Sequence, residues 1–595
     1  MRASAMAHTQ AVPGARSCRG RAGVDGASAL RPLSLPWQRL RSAPTRPGDA
    51  APGRRTSIIS SAAAPTKAPV PKSQGQGKKV VIVGGGIGGL VAGGLLAKQG
   101  MDVTILEKNA DVGGRCQSET TAGGFRFDTG PSLLLFPDTY KQTFALLGEP
   151  DMERRLPVTK ITPAGYRVHF GDGSDADMIY DRDAMCAQLE KIEPGAGDAY
   201  LQWLRDAENS LKLGMENFIE VDADNLLGLL RLDKLIPMVL KVSPIDLLSP
   251  HVSVLGSKFK DPRLKAMFTF QDLYVGLSPY NAPGVYSLLA GTELLDGVWY
   301  PKGGFQNVRA QIRQLAEENG ARVQCNAEVQ RVLFEGDRAV GVALAGGEEV
   351  RADVVMCNRD VSKGFSIMDN DKAKQRGQKI KDKWDYSCAV VSFNWGISKP
   401  VPELLHHNVF LSDDWEASWD RATAPDKFVK KPNFYVHSPC VTDPSAAPDG
   451  KASVMVLLPI ANKQEIEKAA GRKLSDAEMR ERLDAIIAEG RERVLDTFES
   501  KGIELRGHIE EEFIIDPVEW EERYGIEHGA VFGLSHGMLQ LATFRPALKD
   551  LTHEGLYFVG ASTRPGNGVP LVMISGRLAA ERVLQDQGVA VPWSG

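Results

Sequence analysis

Gly84, Gly86 and Gly89, with Gly88 among them, and the acid Glu107 are the residues whose types and spacing first suggest chemistry. In the pattern G-x-G-x-x-G, Gly84 permits a tight turn and Gly86 lets backbone N–H groups approach a diphosphate. Gly89 lets a helix pack closely on the preceding strand. Glu107 follows Gly84 by 23 positions, the spacing of a carboxylate that accepts hydrogen bonds from a ribose. An acid there favours free ribose hydroxyls over a phosphorylated ribose. At this point nicotinamide and flavin dinucleotides are both open.

These residues need a scaffold, and the flanking sequence supplies one. Val80 to Val83 is a β-branched run bounded by glycines, as expected of a parallel strand buried on both faces. A helix is predicted over about 87–99, with the partial positive charge of its N-terminus facing the diphosphate. A second strand over 103–106 ends at Glu107. A glycine-rich turn without a ligand is the competing reading of the triplet alone. The strand, helix and acid around it argue against that reading.

The remaining sequence bounds what this scaffold serves. With 595 residues, 43% hydrophobic and 25% charged, the chain can bury a large core, expected as two intertwined domains. Residues 1–77 hold ten Arg and two Lys against Asp25 and Asp49, a net charge of +10, which leaves −14 for the remainder. That leader is rich in Ala, Ser, Pro, Gly and Arg, the composition of a transit peptide, and its last part, from Ala62, is a flexible linker. A plastid destination is expected from it. The remainder shows no basic stripe, so nucleic acid is not an expected partner. Seven scattered cysteines are expected to be reduced packing residues. Ten histidines form no metal-binding motif, so metal-free chemistry is expected.

Further along, Asp128 to Ser132 is a polar turn between apolar runs that could bring backbone to a flavin ring edge; taken alone, it reads as an ordinary surface turn. Leu226 to Leu248 is strongly apolar but broken by Pro237, Pro244 and charged residues, too short for a membrane span. It is either a buried helix pair or an amphipathic element lying on a membrane. Tyr274, Tyr280, Tyr286, Trp299, Tyr300 and Phe305 cluster around Gly and Pro turns; they suit core packing or the lining of a tunnel. Helix Phe305 to Asn319 and strands over 322–325, 329–334 and 352–356 are expected to return the chain to the first sheet. Ser475 and Glu478 form a capping box at the start of a long helix ending near Glu499. Leu556 to Val559 then runs through a Gly/Pro/Asn turn into a helix from Val569, aiming a second helix N-terminus at the same site.

Gly113-Gly114-Arg115 lies just beyond the ribose acid. With GGGIGGL and EKNADVGGRC, then FDTGPSLLL, then GLSPYNAPGVYSLL with GVWYPKGGF, and GAVFGLSH with GLYFVGASTRPGNGVP, it resembles the carotene (phytoene) desaturase family of the bacterial and fungal type. That family lies within the FAD-dependent carotenoid desaturase/isomerase and amine oxidase superfamily. The resemblance implies an α/β fold: a Rossmann-like FAD-binding domain of the glutathione-reductase-2 type, built from three segments (78–165, 300–370, 546–590), with an interleaved α+β substrate domain (166–299, 371–545). It implies cofactor contacts at Gly84, Gly86, Gly88, Gly89, Glu107, Lys108, Gly114, Arg115, Gly130, Pro131, Ser132, Val329, Gly560, Gly568 and Val569. Tyr274, Tyr280, Tyr286, Trp299 and Phe305 are the expected substrate contacts. The implied activity is desaturation of a C40 polyene by hydride transfer to flavin. A membrane surface supplies the substrate, and a quinone or oxygen takes the electrons. No strong catalytic base is required and none is assigned; Glu293 and Asp296 are candidates, each more simply read as an ordinary surface or turn carboxylate. The chain departs from the pattern at Arg564, where the resemblance leads one to expect histidine. A carotenoid cis–trans isomerase is the alternative, although that branch is expected to carry serines after the double glycine, where this chain has Arg115-Cys116. A non-enzymatic prenyl-lipid binder, like the GDP-dissociation inhibitors, is the third reading.

Overall fold

Strand β1 (Lys79–Val83) is buried from Val80 onward and occupies the centre of a five-stranded parallel sheet. The computed structural model describes residues 77–222 and 249–593; the leader, most of the linker and the apolar stretch 226–248 lie outside them. Helix α1 (Ile87–Lys98) follows, buried from Ile87 to Ala97. It is apolar all round because it is covered all round. Strand β2 (Asp102–Leu106) returns beside β1 and sets Leu106 opposite Val83.

The sheet runs in the order Leu556–Phe558, Val354–Cys357, β1, β2, Arg322–Gln324, so three separated stretches of chain build it. β1 leads to β2 on one side, while Val354–Cys357 arrives from far along the chain on the other. This is a topological switch point, where the carboxyl ends of parallel strands leave a crevice. Gly84 and Asn358 are the first residues past those two strand ends.

A seven-stranded mixed sheet forms the second layer. It contains Ala164–Phe170, Ala389–Ile397, strand β3 (His407–Leu411), strand β4 (Phe434–His437) and Ala452–Ile460. Period-two alternation divides its faces. Val391, Phe393 and Trp395 pack in a core cluster with Leu483, Ile486 and Val494 of the helix Asp476–Ser500. Val390 and Leu457 face a cavity instead. Ser475 and Glu478 make the expected capping box.

Two expectations need correction. Val329–Glu335 and Arg338–Leu344 form a hairpin that adds Glu349–Arg351 as a separate three-stranded sheet; only Arg322–Gln324 and Val354–Cys357 rejoin the first sheet. β1 already pairs with β2 and Val354–Cys357, and β2 with β1 and Arg322–Gln324, so neither has an edge left for the hairpin that turns at Gly336. The turn after Phe127 is no surface turn, because Asp128 and Thr129 are each only 1% exposed. Asp128 accepts hydrogen bonds from the Tyr300 hydroxyl (2.7 Å) and the Phe305 N–H (2.8 Å), and this draws the turn inward.

Close backbone approach sets the layer spacing. A Cβ at Gly89 would stand 2.6 Å from the Gly84 carbonyl oxygen. Helix α2 (Val569–Asp586) crosses α1 so tightly that a Cβ at Gly576 would stand 2.7 Å from the Gly88 carbonyl oxygen. Gly89→Val is expected to lower unfolding free energy by about 2–3 kcal/mol in chemical denaturation, because the backbone it strikes cannot yield as a side chain could.

Candidate functional site

One cavity of about 720 Å³ opens at the crevice and runs from the glycine turn to an apolar mouth. Gly84, Gly86, Glu107, Lys108, Gly114 and Arg115 line its polar end. No side chain caps α1 at Gly86, so the first-turn N–H groups face this end unblocked. Glu107 is held in place by the N–H groups of Gly85 (2.8 Å) and Asn109 (2.9 Å), one on each carboxylate oxygen, and each oxygen keeps a further acceptor site. Gly113 bridges to Gly86 and donates to the Gly85 carbonyl at 2.8 Å, which pins the arginine-bearing loop against the glycine turn. The Arg115 guanidinium donates to the Val531 carbonyl.

The middle of the cavity joins two further segments. Gly130, Pro131 and Ser132 line it from one side. A Cβ at Gly130 would stand 1.9 Å from the Arg115 carbonyl oxygen, so only glycine lets these loops meet. Gly560, Gly568 and Val569 line the other side, with the Gly560 N–H donating to Ser575 Oγ at 3.0 Å. Arg545 secures this third segment. Its buried guanidinium donates to the carbonyls of Ala561 (2.8 Å), Thr563 (3.1 Å), Ser535 (3.0 Å) and Gln540 (3.2 Å). Burial pushes its pKa down to about 10.

Val329 also lines the cavity, whereas Gly88 and Gly89 do not; they serve helix packing. Arg564 lies off the wall, paired with Asp222 and donating to the Thr543 carbonyl. The neighbouring Pro565 lines the cavity. Asn358 was missed by sequence reasoning. It lines the cavity and donates from Nδ2 to the Gly84 carbonyl at 3.2 Å. A polar residue directly after the strand predicted to rejoin β1 was the available signal.

At the apolar end Tyr274 and Tyr286 line the cavity, with Leu288, Leu289, Leu541 and Phe544. Three expected aromatics stay away from it. Tyr280 is 36% exposed and bonds the Trp415 carbonyl. Trp299 lies in a two-stranded ladder with Lys160, and Phe305 is fully buried in the core. Pairing of Trp299–Pro301 with Val158–Lys160 directs this stretch toward Asp128 rather than the cavity.

The two candidate carboxylates part company. Asp296 is exposed at the end of the helix Ser287–Asp296. Glu293 is only 1% exposed and accepts hydrogen bonds from the Tyr166 hydroxyl (2.8 Å) and Gln271 Nε2 (3.0 Å). Among the described residues no cation pairs with it, and burial pushes its pKa up to about 7. Tyr166 is in turn 2.7 Å, oxygen to oxygen, from the hydroxyl of the cavity-lining Tyr274.

The residues present fit a flavin dinucleotide. The polar end offers uncapped helix N–H groups, an oriented acid and a guanidinium, while Gly86, Gly114 and Gly130 leave backbone free for close contact. Comparison with known proteins agrees. Residues 87–584 match the family described as flavin containing amine oxidoreductase. A phytoene desaturase of Fusarium fujikuroi is 34% identical over 530 residues, covering 87% of this chain and 91% of that protein. A zeta-carotene-forming phytoene desaturase of Myxococcus xanthus is 36% identical over 521 residues, covering 87% and 96%. A solved oxidoreductase from Methanosarcina mazei shares the fold at TM-score 0.53 and 16% identity, covering 84% of this chain and all of that one.

Arg545→Met is expected to lose bound flavin during gel filtration and to lower stability by about 3 kcal/mol, since it strips partners from several buried carbonyls. Flavin absorbance per protein and a urea titration measure the two effects.

Proposed function

We propose, from the premise that this chain belongs to the flavin-containing amine oxidoreductase family, that it is an FAD-dependent carotene desaturase acting on CH–CH units of a C40 polyene such as phytoene. The observation that carries this reading is a single cavity whose polar end suits a dinucleotide and whose other end is apolar and aromatic. The names of the fungal and bacterial relatives supply the substrate class.

Gly84, Gly86, Glu107 and Arg115 would hold the nucleotide of FAD, and Gly130 to Ser132 with Gly560 to Val569 would hold its ring system. When bound, FAD accepts the two electrons, taking a hydride equivalent from an allylic CH2 group. The protein's own tasks are to align the polyene, exclude water and receive the vicinal proton. Tyr286, Leu288 and Leu289 give the polyene a rigid apolar wall. For the proton, the hydroxyls of Tyr274 and Tyr166 form a relay that ends on Glu293. A buried carboxylate with a pKa near neutrality is poised to take a proton and later release it.

The entrance supports a membrane-facing reading. Met538 and Phe544 line the cavity and are 39% and 51% exposed, and Leu539 between them is 81% exposed. Apolar side chains at a cavity mouth suit lipid contact. No described helix is long and apolar enough to cross a membrane, so the proposed association is peripheral. A quinone or oxygen is the proposed electron acceptor. The division into three cofactor segments and two substrate segments belongs to the same reading. The plastid expected from the leader finds no support in the relatives, which are fungal and bacterial.

Anaerobic incubation of the flavin-loaded protein with 15-cis-phytoene in liposomes tests the function. Quinone-dependent lengthening of the polyene chromophore is expected. Geometric conversion of a poly-cis carotene without net oxidation would instead identify an isomerase. Replacing Leu539 and Phe544 with Asp should reduce liposome binding and turnover several-fold while leaving bound flavin intact.

Glu293 gives a pH prediction with a defined sign. Turnover should rise through about pH 7 as the carboxyl ionises, and Glu293→Gln should flatten that rise while lowering the rate by about 10²-fold. Stability moves oppositely. The folded pKa is raised, so the unfolded chain releases this proton first, and stability falls by up to about 3 kcal/mol between the unfolded carboxyl pKa and pH 7. Urea titrations at pH 5 and pH 8 should show that loss in the parent protein and its absence in Glu293→Gln.

A further inference from the structure

The neighbouring His406 and His407 meet His437, 30 positions on, at the second sheet. His407 of β3 and His437 of β4 are direct cross-strand partners, so both side chains project from one face. Their rings stack with centroids 5.5 Å apart. His406 precedes β3, and its carbonyl accepts the Ser438 N–H at 2.9 Å. That bond brings its ring to within 4.4 Å of His407 and 4.9 Å of His437, centroid to centroid. All three residues are 0% exposed. One ring nitrogen from each lies within 4.8 Å of those of the other two.

Hydrogen bonding decides which nitrogens are available. His406 Nδ1 is 2.7 Å from Thr442 Oγ1, and His407 Nδ1 is 2.7 Å from the Tyr435 hydroxyl. With each Nδ1–H donated to a hydroxyl, Nε2 of both rings carries a bare lone pair. His406 Nε2 stands 3.1 Å from His437 Nε2. His407 Nε2 and His437 Nδ1 are buried and, among the described residues, have no hydrogen-bond partner. Outer hydroxyls that fix the tautomer are the usual companions of histidine ligands. The 3.1 Å separation is close to the roughly 3.3 Å expected between two imidazole nitrogens on one tetrahedral Zn2+. A small inward turn of the His407 ring would complete three ligands.

We propose that His406, His407 and His437 form a buried site for one first-row transition-metal ion of imidazole preference, with Zn2+ as the first candidate. The expectation of metal-free histidines came from the lack of a local motif. The cluster is built by strand register across about thirty residues, and no short pattern records that. The site is one residue removed from the main cavity, since Tyr435 also bonds Ser132 Oγ at 2.7 Å and both line the wall. A bound ion would therefore fix His407, Tyr435 and Ser132 as a unit beside the flavin ring site, in a positioning role.

The test is metal content of the purified flavoprotein, made without a histidine tag in Zn2+-supplemented medium. About one equivalent of zinc per chain is expected, falling below a tenth in His437→Gln and His407→Gln. Co2+-grown parent protein gives an answer that needs no variant. It should show the ligand-field absorption of a four-coordinate site, with X-ray absorption indicating three imidazole nitrogens. Parent protein carrying no zinc or cobalt above background would overturn the proposal and leave the cluster a hydrogen-bonded network. So would metal retained undiminished in both variants.

Discussion

The carbonyl of Gly84 lies where a side chain on Gly89 would have to stand, 2.6 Å from its first carbon. That close approach presses α1 against β1 and points uncapped N–H groups into the crevice at the strand ends. Everything else in the molecule converges on this contact. Gly130 brings the Asp128 turn onto Arg115, Gly576 brings α2 onto Gly88, and Asn358 ties the neighbouring strand to Gly84 itself. Positions where backbone meets backbone tolerate no added volume, so these segments are fixed relative to one another before any ligand binds.

Buried polar groups supply what close packing cannot, which is orientation. Asp128 collects a hydroxyl and a backbone N–H and pulls Tyr300 and Phe305 inward, away from the cavity. Arg545 gathers carbonyls from two loops and so holds the cavity-lining segment around Gly560. Both groups are satisfied by fixed partners and serve structure. Glu293 is different: it has hydrogen-bond donors but no cation partner among the described residues, and burial pushes its carboxyl pKa up to about 7.

The nucleotide end was legible in the sequence because its chemistry is local. Glycine spacing, strand, helix and acid all fall within about thirty residues, and each obeys a short-range rule. The aromatic end was read less well, because whether a ring lines a cavity or fills a core depends on pairings that spacing does not encode. Tyr274 and Tyr286 reached the wall, while the ladder between Trp299 and Lys160 carried its neighbours elsewhere. Burial was hardest to read: Glu293 and Asp296 are three positions apart on one helix, yet the first is buried within it and the second is exposed as its last residue. The histidine cluster depends on the register that sets His437 opposite His407, about thirty residues earlier.

The central claim is that oxidation of a polyene is coupled to reduction of the bound flavin. Anaerobic single-turnover mixing of the oxidised holoenzyme with phytoene-loaded vesicles, followed at flavin and polyene wavelengths, tests it directly. One flavin bleached for each double bond formed is the predicted result. A change in the polyene while the flavin spectrum stays oxidised, or no bleaching with substrate bound, would contradict it.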